Sequence, residues 1–295
     1  MSLPSVPRLP PVIVPFPVTV PFSTAPRPRP LQDRPLVLDS ALPASVQRRR
    51  ERLEQDPDGV FVRDPEDPDD DGLTAALHAA CALVPVTPDG LEPLAAARSF
   101  GLGCSDDLVV LRRRGDRATC ELLAVAFPSG WPPRERAGAD LVRLHAPVAD
   151  GDRLRAASRA LSEAALTKGP YRQHVWGFEP DGRLDRDPSA PDATGYGCPD
   201  PAHWWMRVEA QTTIPLPHLS RALFLIRPYL VPLVDLAAGQ RHTLAAAVAS
   251  MSPAALDYKG IAQIRDNMIN WLRSSGGPSC SDGFSSSPGH RSPTP

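Results

Sequence analysis

The chain has 295 residues, and its 32 Lys and Arg nearly balance 34 Asp and Glu, for a formal net charge of -2. That balance excludes a nucleic-acid binder built on a broad basic face. Proline is in excess, 37 residues in 295 against an average usage of about 5%. Such a content excludes a coiled coil or an all-helical bundle, because each proline deletes a donor and breaks a helix interior.

Residues 1–30 carry a proline every few positions and read as an extended, polyproline-like arm. The arm is apolar, but it cannot form the helical core of a signal peptide. Helices are predicted over Ala44–Glu54 and Leu73–Leu83, the second with an apolar stripe through Leu73, Ala76, Leu77, Ala80 and Leu83. An Asp- and Pro-rich loop, Asp64 to Gly72, separates them. Asp107–Arg112 and Cys120–Phe127 read as strands joined by a Gly-Asp turn. A helix is predicted over Arg153–Ala165. Strand composition returns at Tyr171–Phe178, Trp204–Thr213 and Ala222–Leu230, interrupted by a loop from Pro180 to Ala202. Helices over Gly239–Met251 and Ile261–Leu272 precede a Ser/Gly/Pro-rich tail.

This order predicts an α+β fold with a five-stranded antiparallel sheet and helices on one side, a PAS-like arrangement that leaves a pocket between them. The organisation expected is an arm (1–30), one domain (31–273) and a disordered tail (274–295). No run approaches the roughly 18 uninterrupted apolar residues of a membrane span. The five cysteines, Cys81, Cys104, Cys120, Cys198 and Cys280, are odd in number and form no CxxC pair. A reducing, cytoplasmic setting follows, with neither a disulfide framework nor a zinc site expected.

General catalytic motifs are missing: there is no GxGxxG, P-loop, HExxH or GxSxG. Candidate chemistry gathers instead in three segments. In the first, Phe127 to Val148, a sharp Pro-Ser-Gly turn precedes Trp131, and His145 stands between Leu144 and Pro147 just before a predicted helix. His145 is either a hydrogen-bonded core histidine or a neutral imidazole held for a metal or haem iron. His174, His203, His218 and His242 flank loops or polar faces. In the last segment Arg207 and Glu209 alternate with Met206 and Val208, so both charges point to one face of a strand. That face is either solvated or the wall of a pocket. Trp131, Trp176, Trp204 and Trp205 suit an aromatic-walled cavity or ordinary core packing.

Several blocks then stand in one order: FPSGW at Phe127–Trp131, LHAPV at Leu144–Val148, RVEAQTTIPLP at Arg207–Pro217, FLIRPY at Phe224–Tyr229 and Tyr258–Lys259–Gly260. With RRRERL at Arg48–Leu53 they resemble the haem-dependent oxidative N-demethylase family over roughly Pro30 to Gly260. The resemblance implies a PAS-like domain holding non-covalent haem b, which removes a methyl group from a small secondary amine with O2 as co-substrate. It also implies electrons from a separate flavin and iron–sulfur reductase or a ferredoxin; no nucleic acid or membrane partner is expected. On that reading His145 is the axial ligand to iron, and Trp131, Trp176 and Arg207 contact the cofactor. Arg207 and Glu209 form the catalytic pocket, Arg207 meeting a propionate or iron-bound oxygen and Glu209 a cationic amine.

The sequence departs from the family pattern at Ala210, where RVERQ has its second arginine, and at Leu225 and Pro228, which replace threonines of FTIRTY. The RxNW block is eroded around Gln173, Val175 and Trp176. Two other functions stay open: a haem-PAS gas or redox sensor without turnover, and a haem enzyme with altered nitrogen chemistry in specialised metabolism.

Overall fold

The computed structural model describes residues 12–23, 28–36, 39–67, 69–85, 87, 92–146, 148–149, 152–189 and 200–274. Nearly all of the tail, the first part of the arm, Pro147, much of the Pro180–Ala202 loop, Cys198 and Cys280 lie outside them.

In chain order the elements are β1 (Arg29–Pro30), α1 (Leu42–Gln55), α2 (Pro57–Val60), β2 (Phe61–Arg63), α3 (Asp70–Cys81) and α4 (Pro93–Gly103). The hairpin β3 (Asp107–Arg114) and β4 (Arg117–Ala124) follows, then α5 (Leu141–Leu144) and α6 (Asp152–Thr167). Three long strands come next, β5 (Tyr171–Glu179), β6 (Trp205–Leu216) and β7 (Arg221–Pro232), and the helices α7 (Ala238–Ala249), α8 (Pro253–Tyr258) and α9 (Arg265–Arg273) close the chain. The fold is α+β. Its antiparallel sheet runs β1-β5-β6-β7-β3-β4-β2.

Among the described residues the sheet has seven strands rather than the five expected. Its two extra edge strands span two and three residues, too short to leave a periodic signal. Helices also cover both faces, not one. Strand alternation explains this, because β3, β4 and β7 are apolar at successive positions and therefore bury both sides. On one face Leu108, Val110, Leu122, Leu223 and Leu225 pack with Leu73, Leu77 and Phe100 of α3 and α4. On the other, Val109, Leu111, Leu123 and Ile226 pack with Leu166 of α6. Further along the first face, Trp176, Met206, Val208 and Tyr229 meet Leu244, Val248, Met268 and Leu272 of α7 and α9. The stretch of the second face formed by β5 and β6 is polar, with Gln173, Arg207, Glu209 and Gln211 along it.

In the described part of the arm, residues 12–23 have no regular structure, and Arg29–Pro30 form β1. The arm's alternate residues Val12, Val14, Phe16 and Val18, with Phe22, lie against the α7–α9 core, and the Phe22 amide donates to Ser250 Oγ at 2.9 Å. Among the described residues Cys81, Cys104 and Cys120 are buried and free, and no helix is long and apolar enough to cross a membrane.

One buried acid stands out in this core. Asp106, just before β3, is 3% exposed, and its Oδ2 has no hydrogen-bond partner among the described residues. Burial pushes its pKa up to about 7, while the cations of Arg227 and Arg49 pull it down. The folded protein therefore binds a proton at Asp106 that the unfolded chain releases near pH 4, so this contribution to stability falls as pH rises from about 4 to about 7. Thermal melts across that window should show Asp106→Asn flattening the decline and gaining on the order of 1–3 kcal/mol over wild type at pH 8. Parallel curves for the two proteins would contradict this reading.

Candidate functional site

The polar stretch of β5 and β6 forms one wall of a cavity of about 1510 Å³. This exceeds the roughly 300–1,000 Å³ of ordinary small-ligand sites. The register sets its composition: Gly177 pairs with Arg207, Val175 with Glu209 and Gln173 with Gln211, so all of these face the same side. His145, Trp131, Trp176, Arg207 and Glu209 all line the cavity.

Arg207 is 2% exposed, and its guanidinium is committed to protein acceptors. Nη2 donates to the Phe127 carbonyl at 2.6 Å, Nη1 to the Leu184 carbonyl at 2.7 Å, and Nε to Glu209 Oε1 at 3.0 Å. The other carboxylate oxygen, Oε2, accepts from Gln211 Nε2 at 3.2 Å, and Gln211 Oε1 accepts from Gln173 Nε2 at 2.9 Å. Glu209 thus sits in a fixed orientation at the cavity wall, held through both oxygens.

The FPSGW turn is fastened from two sides. Asp107 accepts the amides of Ala126 and Phe127 at 3.0 and 3.1 Å and is itself paired with buried Arg49 at 2.6 Å. Gly130 has φ 75°, a left-handed conformation that favours glycine, and its amide donates to the Arg186 carbonyl at 3.1 Å. Trp131 is thereby placed in the cavity, packed at the margin of the α6 core.

His145 lies at the C-terminal end of the four-residue α5, a helix the sequence pattern did not predict. Asp140 caps that helix by accepting the Arg143 amide at 2.9 Å. Nδ1 of the half-buried His145 stands 2.7 Å from the Leu141 carbonyl. A carbonyl only accepts, so Nδ1 carries the hydrogen, and in the neutral imidazole the lone pair is on Nε2. His242 makes the same contact with Ala238 at 2.8 Å but is exposed and lies outside the cavity lining. The bond alone therefore marks nothing; its combination with the cavity does.

Trp176 stands apart from Arg207 and Glu209. It pairs with Val208, so its side chain lies on the opposite face of β5, edge-to-face with Phe22 and Phe178 at 5.6 Å. Trp204 is buried in the core, and Trp205 is absent from the lining. The aromatic wall expected from four tryptophans is reduced to Trp131 and Trp176. His174 shares the Trp176 face and lines the cavity. Burial first, then the charges of Arg172 and Arg29, hold its pKa below the usual histidine value. His203, His218 and His242 are not in the lining.

Two further residues of the wall were not singled out as functional from the sequence. Glu179, with 12% of its side chain exposed, pairs with Arg186 at 3.1 Å; burial raises its pKa despite nearby Arg207 and Arg186. Lys259 enters from the end of α8. Strand alternation flags Glu179, and the YKG block flags Lys259, but neither signal assigns a role.

The family model for haem-dependent oxidative N-demethylase, alpha subunit-like proteins matches residues 69–269. The chain belongs to this family. The match begins after Arg48–Leu53, so that block lies outside it, and it runs past Gly260 into α9. The alpha subunit-like family points to a protein that works in a multi-subunit oxidoreductase. Within the match fall the FPSGW turn, α5 with His145, and the β5–β6 wall.

Arg207 is the residue on which this geometry most depends. Arg207→Met leaves two carbonyls and Glu209 without their donor, so urea denaturation should show a loss of about 3–5 kcal/mol. Arg207→Lys, which keeps the charge but not the three-way fork, should fall between. A midpoint for Arg207→Met equal to wild type would contradict the clamp.

Proposed function

We propose that this chain is the haem-holding subunit of an enzyme that oxidatively removes a methyl group from a small amine. The observation that carries the reading is His145, whose Nδ1 is fixed by a backbone carbonyl while Nε2 stays free in a cavity larger than a small substrate needs. Among the described residues no three His, Cys, Asp or Glu side chains cluster as a metal site. Haem asks less of the protein, since the porphyrin supplies the in-plane donors and one imidazole suffices as axial ligand. The residues present therefore fit non-covalent haem b, with Trp131 and Trp176 as apolar neighbours of the cofactor.

Bound haem would supply the activation of dioxygen. The protein's own part is to bind and orient. Glu209 offers its fixed carboxylate to a cationic amine, and Arg207 acts as a positioning residue, because its donors are already engaged. Glu179, with its raised pKa, holds a proton more readily than an exposed glutamate. The overall reaction consumes O2, two electrons and two protons, and gives the shortened amine, formaldehyde and water. Those electrons come from a separate flavin and iron–sulfur reductase or a ferredoxin, a proposal supported by the multi-subunit character of the family and by the lack of dinucleotide and cluster motifs here. A cytoplasmic setting fits the three buried, free thiols. A PAS-like reading of the domain is supported by five long antiparallel strands with α5 and α6 inserted after the first two.

With haem and a surrogate electron donor, at least one compound in a panel of methylated amines should yield formaldehyde. His145→Ala should lose haem or shift its ferric spectrum, while His174→Ala should retain the wild-type spectrum. Glu209→Gln should raise KM for amines about tenfold or more. Haem binding without formaldehyde from any amine would favour the sensor; a wild-type spectrum in His145→Ala would overturn the ligand.

A further inference from the structure

The charges lining the cavity are unevenly matched. On the β6 side Arg207 is paired with Glu209, and towards the FPSGW turn Arg186 is paired with Glu179 at 3.1 Å. Along the outer edge of β5 the cations have no such partners among the described residues. Strand β1 pairs β5 only at Tyr171 and Arg172, so beyond them the edge is open to the cavity. Arg172 spends its hydrogen bonds on neutral acceptors, Thr212 Oγ1 at 3.0 Å and the carbonyls of Arg34 and Pro35 at 3.1 and 2.7 Å.

Lys259 reaches the same edge from the end of α8. Its Nζ donates to the Trp176 carbonyl and stands 5.2 Å from the Trp176 ring and 5.6 Å from those of Phe22 and Tyr258. The residue as a whole is half-buried, yet its ammonium is enclosed, and burial pushes its pKa down to about 8 although Glu209 draws it up. Among the described residues no carboxylate lies within ion-pair distance of it. The depressed pKa of His174, to which Arg172 and Arg29 contribute, reports the same surplus of positive charge at this edge. Aromatic faces compensate a buried ammonium only in part, and a carboxylate against it would supply a charge-assisted bond.

We propose that Lys259 is a carboxylate-binding residue of this cavity. The bound group is a carboxylate on the cavity occupant, and two sources share that chemistry: a propionate of the cofactor, or the carboxylate of an N-methylated amino acid whose ammonium end meets Glu209. In both cases the inference rests on the haem-amine reading of the site, and it names which residue completes the recognition.

The test uses the full chain and its Lys259→Met and Lys259→Arg variants. Each is titrated with haem, with haem dimethyl ester, and, by calorimetry, with N-methylglycine and dimethylamine. Lys259→Met removes an unpaired buried charge at similar volume, so it should fold and melt no lower than wild type. If the source is a propionate, Lys259→Met weakens haem binding about ten- to a hundredfold, the ester binds both proteins alike, and Lys259→Arg recovers part of the loss. If the source is the substrate, Lys259→Met loses N-methylglycine and keeps dimethylamine. Equal affinities of wild type and Lys259→Met for all four probes would overturn the proposal. An equal loss for haem and its ester would do the same, since that pattern means a structural tie to Trp176. Failure of wild type to bind either porphyrin would sink the haem reading alone, because the N-methylglycine arm still tests Lys259.

Discussion

The buried guanidinium of Arg207 joins three parts of the chain that are far apart in sequence: the start of the FPSGW turn at Phe127, the loop at Leu184 and the β6 wall at Glu209. A charge this deep is costly unless every strong donor finds an acceptor. Here the acceptors are supplied by backbone carbonyls as well as by one carboxylate. The cavity wall is consequently fixed by the same contacts that make the charge tolerable. Arg49 does the equivalent service one layer away, where its pair with Asp107 holds the amides that begin the FPSGW turn.

Stability and function pull apart along the cavity. The β6 side is closed electrostatically, with acids and bases matched and amide side chains relaying hydrogen bonds from Gln173 to Glu209. The β5 edge is left open, with Lys259 and Arg172 lacking carboxylate partners among the described residues. Titratable groups perturbed by burial cluster at functional sites. The arm, with Phe16, Val18 and Phe22 against the core and the cavity, encloses the same edge.

Much of the fold was legible because its long elements repeat with clear periods. The five long strands and the helices α1, α3, α6, α7 and α9 stand where alternation or a helical apolar stripe marks them. Helix α4 escaped because Ala, Gly and a single Phe give little contrast across its faces. Helix α5 escaped because four residues cannot show a period. The site was legible in a different way. Alternation correctly put Arg207 and Glu209 on one face, and ordered motifs pointed to the FPSGW turn and His145. What could not be read was tertiary: that Trp176 faces away from Glu209, that Arg207 is consumed by two carbonyls and Glu209, and that Lys259 arrives from another layer with no counter-ion among the described residues. Each depends on which strand neighbours which, and no local spacing encodes that.

The proposed function turns on whether the cavity beside β5 and β6 holds haem through His145. The most direct measurement is a crystal structure of the full chain loaded with haem. Iron should be bonded to His145 Nε2, with Nδ1 still donating to the Leu141 carbonyl and Arg207 still bound to Phe127 and Leu184. Iron bonded to His174, or haem seated outside this cavity, would contradict it.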